Sequence, residues 1–485
     1  MKKFLLGTLV LIILLSAYLF FNYLTFSSKQ INVDAVELVT IPEAAREHMS
    51  KAISIPTISP ENSADFDSVA FYKFKDFIKT TYPVTDSLLE VTYVKTFSMI
   101  FKWPGSDASL KPAIIMGHHD VVPVAEENRK NWTEAPFSGD IKNGYIWGRG
   151  AIDDKINVIG NLEAVELLLA QGYTPKRTLY LCFGHDEEIG GEGAQAIVQH
   201  LKGQKVQAEF VLDEGFAISQ GLIPGIEKDV ALIGTAEKGF VTLKLSVNLE
   251  GGHSSIPKKE TAIDVLANAV VKLKKNPFPA QVTPPLRDFM AHAGPEMSFL
   301  QKLAFANPGI FQSMIFSTYE KQPSGNALIR TTTSPTIINA GIKENVIPYE
   351  ARASVNFRTL PGTSIEEVKS RVRETIGDDR IQISESEFHS EAPKASSIES
   401  FGYQTINTTI KQVFPHVLTT PNLVVGATDS RHYYAICPDI YRFTPFYLNS
   451  ESIKTFHGID EKIPVEDFEN AVRFYLQLIK NATTN

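Results

Sequence analysis

Cysteine is scarce in this chain: two in 485 residues, Cys182 inside an apolar run and Cys437 ahead of Pro438. Two are too few for a disulfide framework, and their settings read as small buried hydrophobes rather than nucleophiles or ligands. Long runs of like charge are also missing. Lys plus Arg number 47 against 55 Asp plus Glu, a net charge of −8 that argues against a nucleic-acid-binding surface. Neither an internal repeat nor a low-complexity segment is found, which excludes a repeat architecture. What remains is a globular composition too long for one ordinary domain and sufficient for two cores with an appended segment.

The first segment stands apart. Lys2 and Lys3 precede an uncharged, largely apolar stretch from Phe4 to about Phe26, long enough to cross a bilayer as a helix. Bulky Phe20, Phe21, Tyr23 and Leu24 occupy the region where signal cleavage calls for small side chains, so residues 1–28 read as an uncleaved membrane anchor. The two lysines would stay cytoplasmic and the body would lie on the other side. A cleaved signal peptide, giving a secreted protein, is the alternative. The sequons at Asn131, Asn407 and Asn481 carry meaning only on a glycosylating secretory route.

Beyond the anchor, a short amphipathic helix is expected over Pro42 to about Ile53 and a second from Asp65 to Thr80, stopped by Pro83. Strands and helices then alternate: Ala113–Met116 leading to His118, a helix from about Asp154 to Ala170, Leu179–Phe183, a helix near Ala194–Leu201, and Phe210–Leu212. This order predicts an α/β fold with a mostly parallel sheet. Val158, Leu162, Val165 and Leu169 give the first of these helices one apolar stripe to lay on the sheet. At Gly239 the pattern changes to strict alternation, Val241 to Leu249 against Thr242 to Glu250, and again over residues 351–358, as in a sheet with one wet face. Residues 240–388 are therefore expected to form a smaller α+β lid or dimerisation domain. It is inserted in a discontinuous larger domain built from residues 35–239 and 389–485. Irregular helices over the site or a partner are expected between Asn276 and Pro335.

Chemistry-bearing residues gather where these strands end, which is where open α/β sheets place their sites. The strand Ala113–Met116 delivers Gly117-His118-His119-Asp120, in which His118 and Asp120 share a face, so the carboxylate can orient an imidazole that reaches a metal. Gly148-Arg149-Gly150-Ala151-Ile152-Asp153-Asp154-Lys155 can turn a carboxylate inward at a helix start. Asp186-Glu187-Glu188 follows a buried strand, a crowding of carboxylates that costs repulsion unless a cation neutralises it. Asp213-Glu214 and Phe456-His457-Gly458 complete the set. Imidazole and carboxylate without thiolate suit zinc or a related divalent ion, and five such donors fit two metals sharing a carboxylate better than one.

These motifs, together with Gly252-His253-Ser254-Ser255, Asn345-Val346-Ile347-Pro348 and Gly426-Ala427-Thr428-Asp429-Ser430-Arg431, closely resemble the co-catalytic di-zinc metallopeptidases over residues 40–480. That family includes aminoacylase, acetylornithine deacetylase, succinyl-diaminopimelate desuccinylase, glutamate carboxypeptidase and yeast carboxypeptidase S. Within it, the chain looks most like the secreted animal enzymes that make and cleave N-acyl amino acids. The resemblance implies one zinc on His118, Asp153 and Glu214 and another on Asp153, Glu188 and His457, with Asp153 bridging. Asp213 is the alternative to Glu214. It implies further that Asp120 orients His118 and that Glu187 is the general base. His253 would reach from the lid, often that of a second subunit, to stabilise the oxyanion, so a homodimer is implied. Arg358 and Arg431, assisted by Asn345, are candidates to grip a substrate carboxylate, since guanidinium forks match carboxylates.

The implied activity is hydrolysis of an amide beside a free amino-acid carboxylate. An N-acyl amino acid hydrolase, able to run in reverse, competes with a carboxypeptidase or dipeptidase on short peptides. A non-catalytic peptide-binding relative would have lost Glu187 or a ligand, and each is present. Phe299, Leu300, Phe311, Met314, Ile315 and Phe316 either line a groove for an acyl chain or form ordinary lid core.

Overall fold

The computed structural model describes residues 1–484. The unbroken apolar runs become the middle of a ten-stranded sheet: Leu179–Gly184, Ala113–His118 and Phe210–Asp213 lie side by side and parallel, with every residue buried. A strand covered on both faces has no wet side, and so needs no polar alternation. Glu90–Val94 and Ser98–Trp103 extend one flank antiparallel. On the other flank, Ile440–Arg442 pairs parallel with Phe210–Asp213, and Leu418–Val424 pairs parallel with Val230–Glu237. The sheet is thus completed by strands from the last part of the chain.

Alternate residues of each strand feed opposite layers. Ile115, Leu181 and Leu212 face the helices Lys155–Ala170 and Val465–Thr483, while Ile114, Met116, Cys182 and Val211 face the helix Glu192–Gly203. Both cysteines are buried and free in the second layer. The single stripe expected on Lys155–Ala170 falls short of what is found. All of residues 155–165 are buried, because the C-terminal helix covers the side that the sheet does not; Tyr475 lies where a side chain at Gly160 would stand. The helix Ser68–Thr81 ends before Pro83 as expected; what the sequence did not show is that Pro83 opens a further short helix, Pro83–Leu88, at the position where its missing N–H costs nothing.

The alternating segments form a separate antiparallel sheet in the order Thr332–Ala340, Glu350–Thr359, Gly239–Asn248, Ile381–Glu385. Val241, Leu243, Leu245 and Val247 join residues of the helices Ala262–Lys275 and Ile365–Ile376 in their own core. Both helices start in capping boxes, Thr261 with Asp264 and Ser364 with Glu367. The irregular region between them holds the helices Pro284–Ala293, Phe299–Ala306, Pro308–Glu320 and Pro323–Ile329. Leu286, Phe289 and Ile315 from this region pack with Val230 and Leu418 of the large sheet. Residues 240–388 are therefore more than one packing unit. The N-terminal helix, Lys2–Thr25, buries none of its residues.

One buried ion pair ties two neighbouring interior strands of the large sheet, Ile440–Arg442 and Val230–Glu237, to the loop beyond them. Arg442 is fully buried with its guanidinium 3.3 Å from Glu237, whose carboxylate accepts the Thr428 N–H at 3.0 Å. Glu237→Met leaves the arginine charge uncompensated and is expected to cost about 3–5 kcal/mol, whereas the Glu237→Met, Arg442→Met pair should recover much of that loss. Denaturant melts of the unaltered protein and the two variants check this; equal destabilisation of single and double variants would contradict it.

Candidate metal centre

Five side chains from five separate segments converge at the carboxyl ends of the central strands. His118, at the tip of its strand and buried, turns Nε2 to within 3.1 Å of Asp153 Oδ1 and 3.3 Å of Glu214 Oε1. His457 brings Nε2 to 3.1 Å from Asp153 Oδ2 and 3.4 Å from Glu188 Oε2. The two triads, His118–Asp153–Glu214 and Asp153–Glu188–His457, each hold their donor atoms within 4.8 Å of one another, and Asp153 gives one oxygen to each.

The local backbone explains how this crowding is built. Gly117 precedes His118 because Asp154 presses close: a Cβ there would stand 2.9 Å from the Asp154 carboxylate, which accepts the His118 N–H at 3.1 Å. Asp120, wholly buried, puts Oδ1 3.2 Å from His118 Nδ1 and accepts the N–H groups of Glu187 and Glu188 at 3.1 and 3.2 Å. It thereby orients the ring so that Nε2 faces the other donors. His119 points the other way, stacked on Phe74, and burial pushes it down to about 3, so it is a neutral core residue.

The run of three acids separates into three tasks. Asp186 accepts the Gly193 N–H at 2.8 Å and so helps start the next helix. Glu188 faces His457, and its second oxygen is buried without a partner. The Glu187 carboxylate takes no hydrogen bond from the described residues. Burial raises its pKa well above the usual carboxylate range, reinforced by Asp429, Glu214 and Glu188 and opposed by His118. Of the neighbouring acids after the next strand, Glu214 turns to His118, while Asp213 accepts the Ser430 N–H at 2.9 Å.

The protonation pattern describes a site with surplus negative charge. Hydrogen bonds to Asp153 and Glu188 push His457 up to about 10, and burial pushes Glu214 up to about 7. An orphaned buried carboxylate oxygen, imidazoles presenting Nε2, and oxygen donors on each triad fit divalent ions of the zinc kind.

Four expected substrate contacts lie outside the triads. Arg431 directs two guanidinium nitrogens to the carbonyls of Thr428 and Gly190, both at 2.8 Å, so most of its fork is committed to loop backbone. Arg358 lies at the end of the strand Glu350–Thr359 over the Phe240 ring; burial and the nearby Arg431 charge lower its pKa. His253 and Asn345 sit together on an exposed two-stranded tip, where His253 Nδ1 is 2.7 Å from the Ser255 hydroxyl and Asn345 accepts the Ser254 N–H.

One organising pair escaped the sequence analysis. Glu461 is fully buried, pairs with Arg149, and accepts N–H bonds from Gly150 at 2.9 Å and Ile152 at 3.0 Å. Arg149 also donates to the Gly458 carbonyl at 2.8 Å. Together they clamp the Asp153 loop to the His457 loop. No periodicity marks either residue; a lone acid after His457-Gly458 is the only signal.

The model of Peptidase family M20/M25/M40 matches residues 114–481. "Probable carboxypeptidase S-like 2" of Dictyostelium discoideum is 39% identical, the match covering 99% of this chain and 93% of that protein. "N-fatty-acyl-amino acid synthase/hydrolase PM20D1" of Xenopus tropicalis is 42% identical over 90% of this chain and 86% of that protein. Among solved structures, the M20 family metallo-carboxypeptidase Sso-CP2 from Sulfolobus solfataricus superposes with a TM-score of 0.67 at 17% identity, covering 92% of this chain and all of that one. Human carnosine dipeptidase 1 gives 0.62 at 14% identity, over 93% of this chain and all of that one.

Glu461→Gln is expected to weaken divalent-ion affinity about 10- to 100-fold, the usual effect of losing a supporting carboxylate. Zinc titration against a chromophoric chelator reads this; unchanged affinity would mean that the loop keeps its shape unaided.

Proposed function

This chain belongs to peptidase family M20/M25/M40, and from that premise we propose that it cleaves N-acyl amino acids, releasing a fatty acid and an amino acid, and can run the reaction in reverse. Membership makes it a hydrolase of the metallopeptidase and amidohydrolase type. The observation that carries the reading is the pair of triads sharing Asp153 with an unengaged Glu187 beside them. The choice of acyl substrates over peptides rests on relatives near 40% identity whose names state N-fatty-acyl-amino acid synthase/hydrolase.

His118, Asp153 and Glu214 would hold one divalent ion, and Asp153, Glu188 and His457 a second, zinc by donor chemistry. Bound there, the ions would supply a water of pKa near 7 and a Lewis acid for the amide carbonyl. The chain's own residues do the rest. Asp120 holds His118 in the tautomer that presents Nε2. Glu187 takes a proton from the attacking water and returns it to the leaving nitrogen, a transfer suited to a carboxyl whose pKa burial has raised. Arg358, desolvated and close to the Arg431 charge, is the better-placed grip for the substrate carboxylate, since an anion there relieves two like charges.

The sheet of residues 240–248, 332–340, 350–359 and 381–385 serves in this reading as lid and dimerisation surface. Its edge strand Thr332–Ala340 exposes Ile337 and Ile338, and the His253 tip nearby exposes Val346 and Tyr349. Such an edge favours a second copy. His253 would then serve the partner's site. The N-terminal helix reads as a retained anchor with the catalytic body extracytoplasmic. Asn22 donates to Asn307 at 2.8 Å and Tyr23 packs on Phe299 at 5.1 Å, contacts that a cleaved leader would forfeit.

Product analysis by mass spectrometry tests the substrate class, with N-oleoyl-phenylalanine, N-acetyl amino acids and blocked dipeptides offered to the zinc-loaded full chain. Preferential fatty-acid release supports the proposal, and preferential dipeptide cleavage moves the protein to the carboxypeptidases. Glu187→Gln is expected to lower turnover by about 10²–10⁴-fold. His253→Ala should also be inactive, and mixing it with Glu187→Gln should restore activity if each subunit completes the other's site. Failure of the mixture to recover would place His253 outside the reaction.

A further inference from the structure

An apolar cavity of about 300 Å³ lies under the helices Phe299–Ala306 and Pro308–Glu320, at the lower end of the size of small-molecule pockets. None of its lining residues carries a charge. Phe289, Ala304 and Ile315 form its floor within a core shared with the large sheet, while Leu300 and Met314 stand at its rim, 72% and 51% exposed. Well-packed interiors leave few voids of this size.

Two features say what would fill it. The first is the N-terminal helix, 24 residues long and apolar enough to cross a bilayer. It packs beside the rim: Asn307, 4% exposed, accepts from Asn22 and donates to the Leu19 carbonyl at 3.3 Å, and Lys302 lies over the Tyr23 ring. Exposed Phe299 packs on Tyr23 of that helix, and exposed Leu300, Ile310 and Met314 stand on the two helices that flank Asn307. An anchored protein with such a patch beside its anchor presents the patch to the lipid surface. The second is the inner end of the cavity. Leu328 and Asn422 line it there, and Leu328 packs on Ala236, Leu360 and Leu423. Those three neighbour the substrate loops: Leu360 follows Arg358 by two residues, and Ala236 precedes Glu237, which holds Thr428. This apolar cluster joins the cavity wall to the strand ends that lead into the loops carrying Arg358 and Arg431.

We infer that this cavity seats the acyl chain of the substrate, with its mouth at the surface of the bilayer and its inner end toward the metal centre. The inference deepens the N-acyl amino acid reading and rests on it. The acyl chain is drawn from the membrane and lies along the cavity, while the amino-acid carboxylate reaches Arg358. The helices that build the cavity thus act as a selector for long acyl groups.

Two measurements test it. The full chain carrying Glu187→Gln, in phosphatidylcholine nanodiscs, is photolabelled with N-oleoyl-phenylalanine bearing a diazirine near the chain terminus. Label within residues 299–319 supports the assignment, and label confined to the lid sheet overturns it. Ala304→Trp and, at the more exposed rim, Thr318→Trp fill the space. Each should lower kcat/KM for the oleoyl substrate by about tenfold or more and leave N-acetyl substrates unchanged, with melting temperature confirming the fold. Equal loss on both substrates, or no loss, overturns the assignment. Turnover of the oleoyl substrate without cavity label would overturn the cavity alone. Cavity label in a chain that cleaves only dipeptides would overturn the function and leave an acyl site.

Discussion

Asp153 offers one oxygen to a histidine from each end of the chain, and that shared carboxylate sets the terms for the rest of the molecule. Around it stand Glu188, Glu214 and Glu187, more negative charge than a water-poor pocket tolerates without cations. Keeping such groups close requires a scaffold that cannot relax them apart. The parallel sheet provides it: His118, the Glu187–Glu188 turn and Glu214 all leave the carboxyl ends of adjacent, fully buried strands. The Arg149–Glu461 pair then locks the Asp153 loop onto the one that carries His457.

Discontinuity follows from the same constraint. His457 approaches the centre only because the last part of the chain re-enters the sheet, through Ile440–Arg442, and covers it with the helix Val465–Thr483. The segment between the two halves has its own core and carries Arg358 close to the Arg431 charge, while its helices 284–329 return to the large sheet. The candidate ion-binding groups thereby all come from the large-sheet scaffold, and none from the insertion.

Much of this was legible in the residues because the chemistry is local. A buried strand ending in His118-His119-Asp120 needs no tertiary information to announce itself, and period-2 alternation from Val241 to Leu249 predicts the second sheet that the structure contains. The resemblance supplied the sharing of Asp153. What escaped depends on distance along the chain or on burial from two sides. Arg149 and Glu461 are 312 residues apart, so neither looks paired until the fold brings them together. The helix Lys155–Ala170 shows a stripe because one face is more apolar, yet its polar residues Asn157, Asn161 and Glu163 are buried too, as partners of Tyr475, the Asn157 carbonyl and Tyr82. Arg431 looked free to grip a carboxylate until the loop wrapped its carbonyls around it.

The central claim is a pair of divalent ions bridged by Asp153. Elemental analysis of the desalted full-length protein, alongside Asp153→Ala, measures it most directly. The account predicts two tightly held divalent ions per chain and loss of both in the variant, because each triad loses a donor. One ion per chain, or two retained without Asp153, would contradict a shared centre.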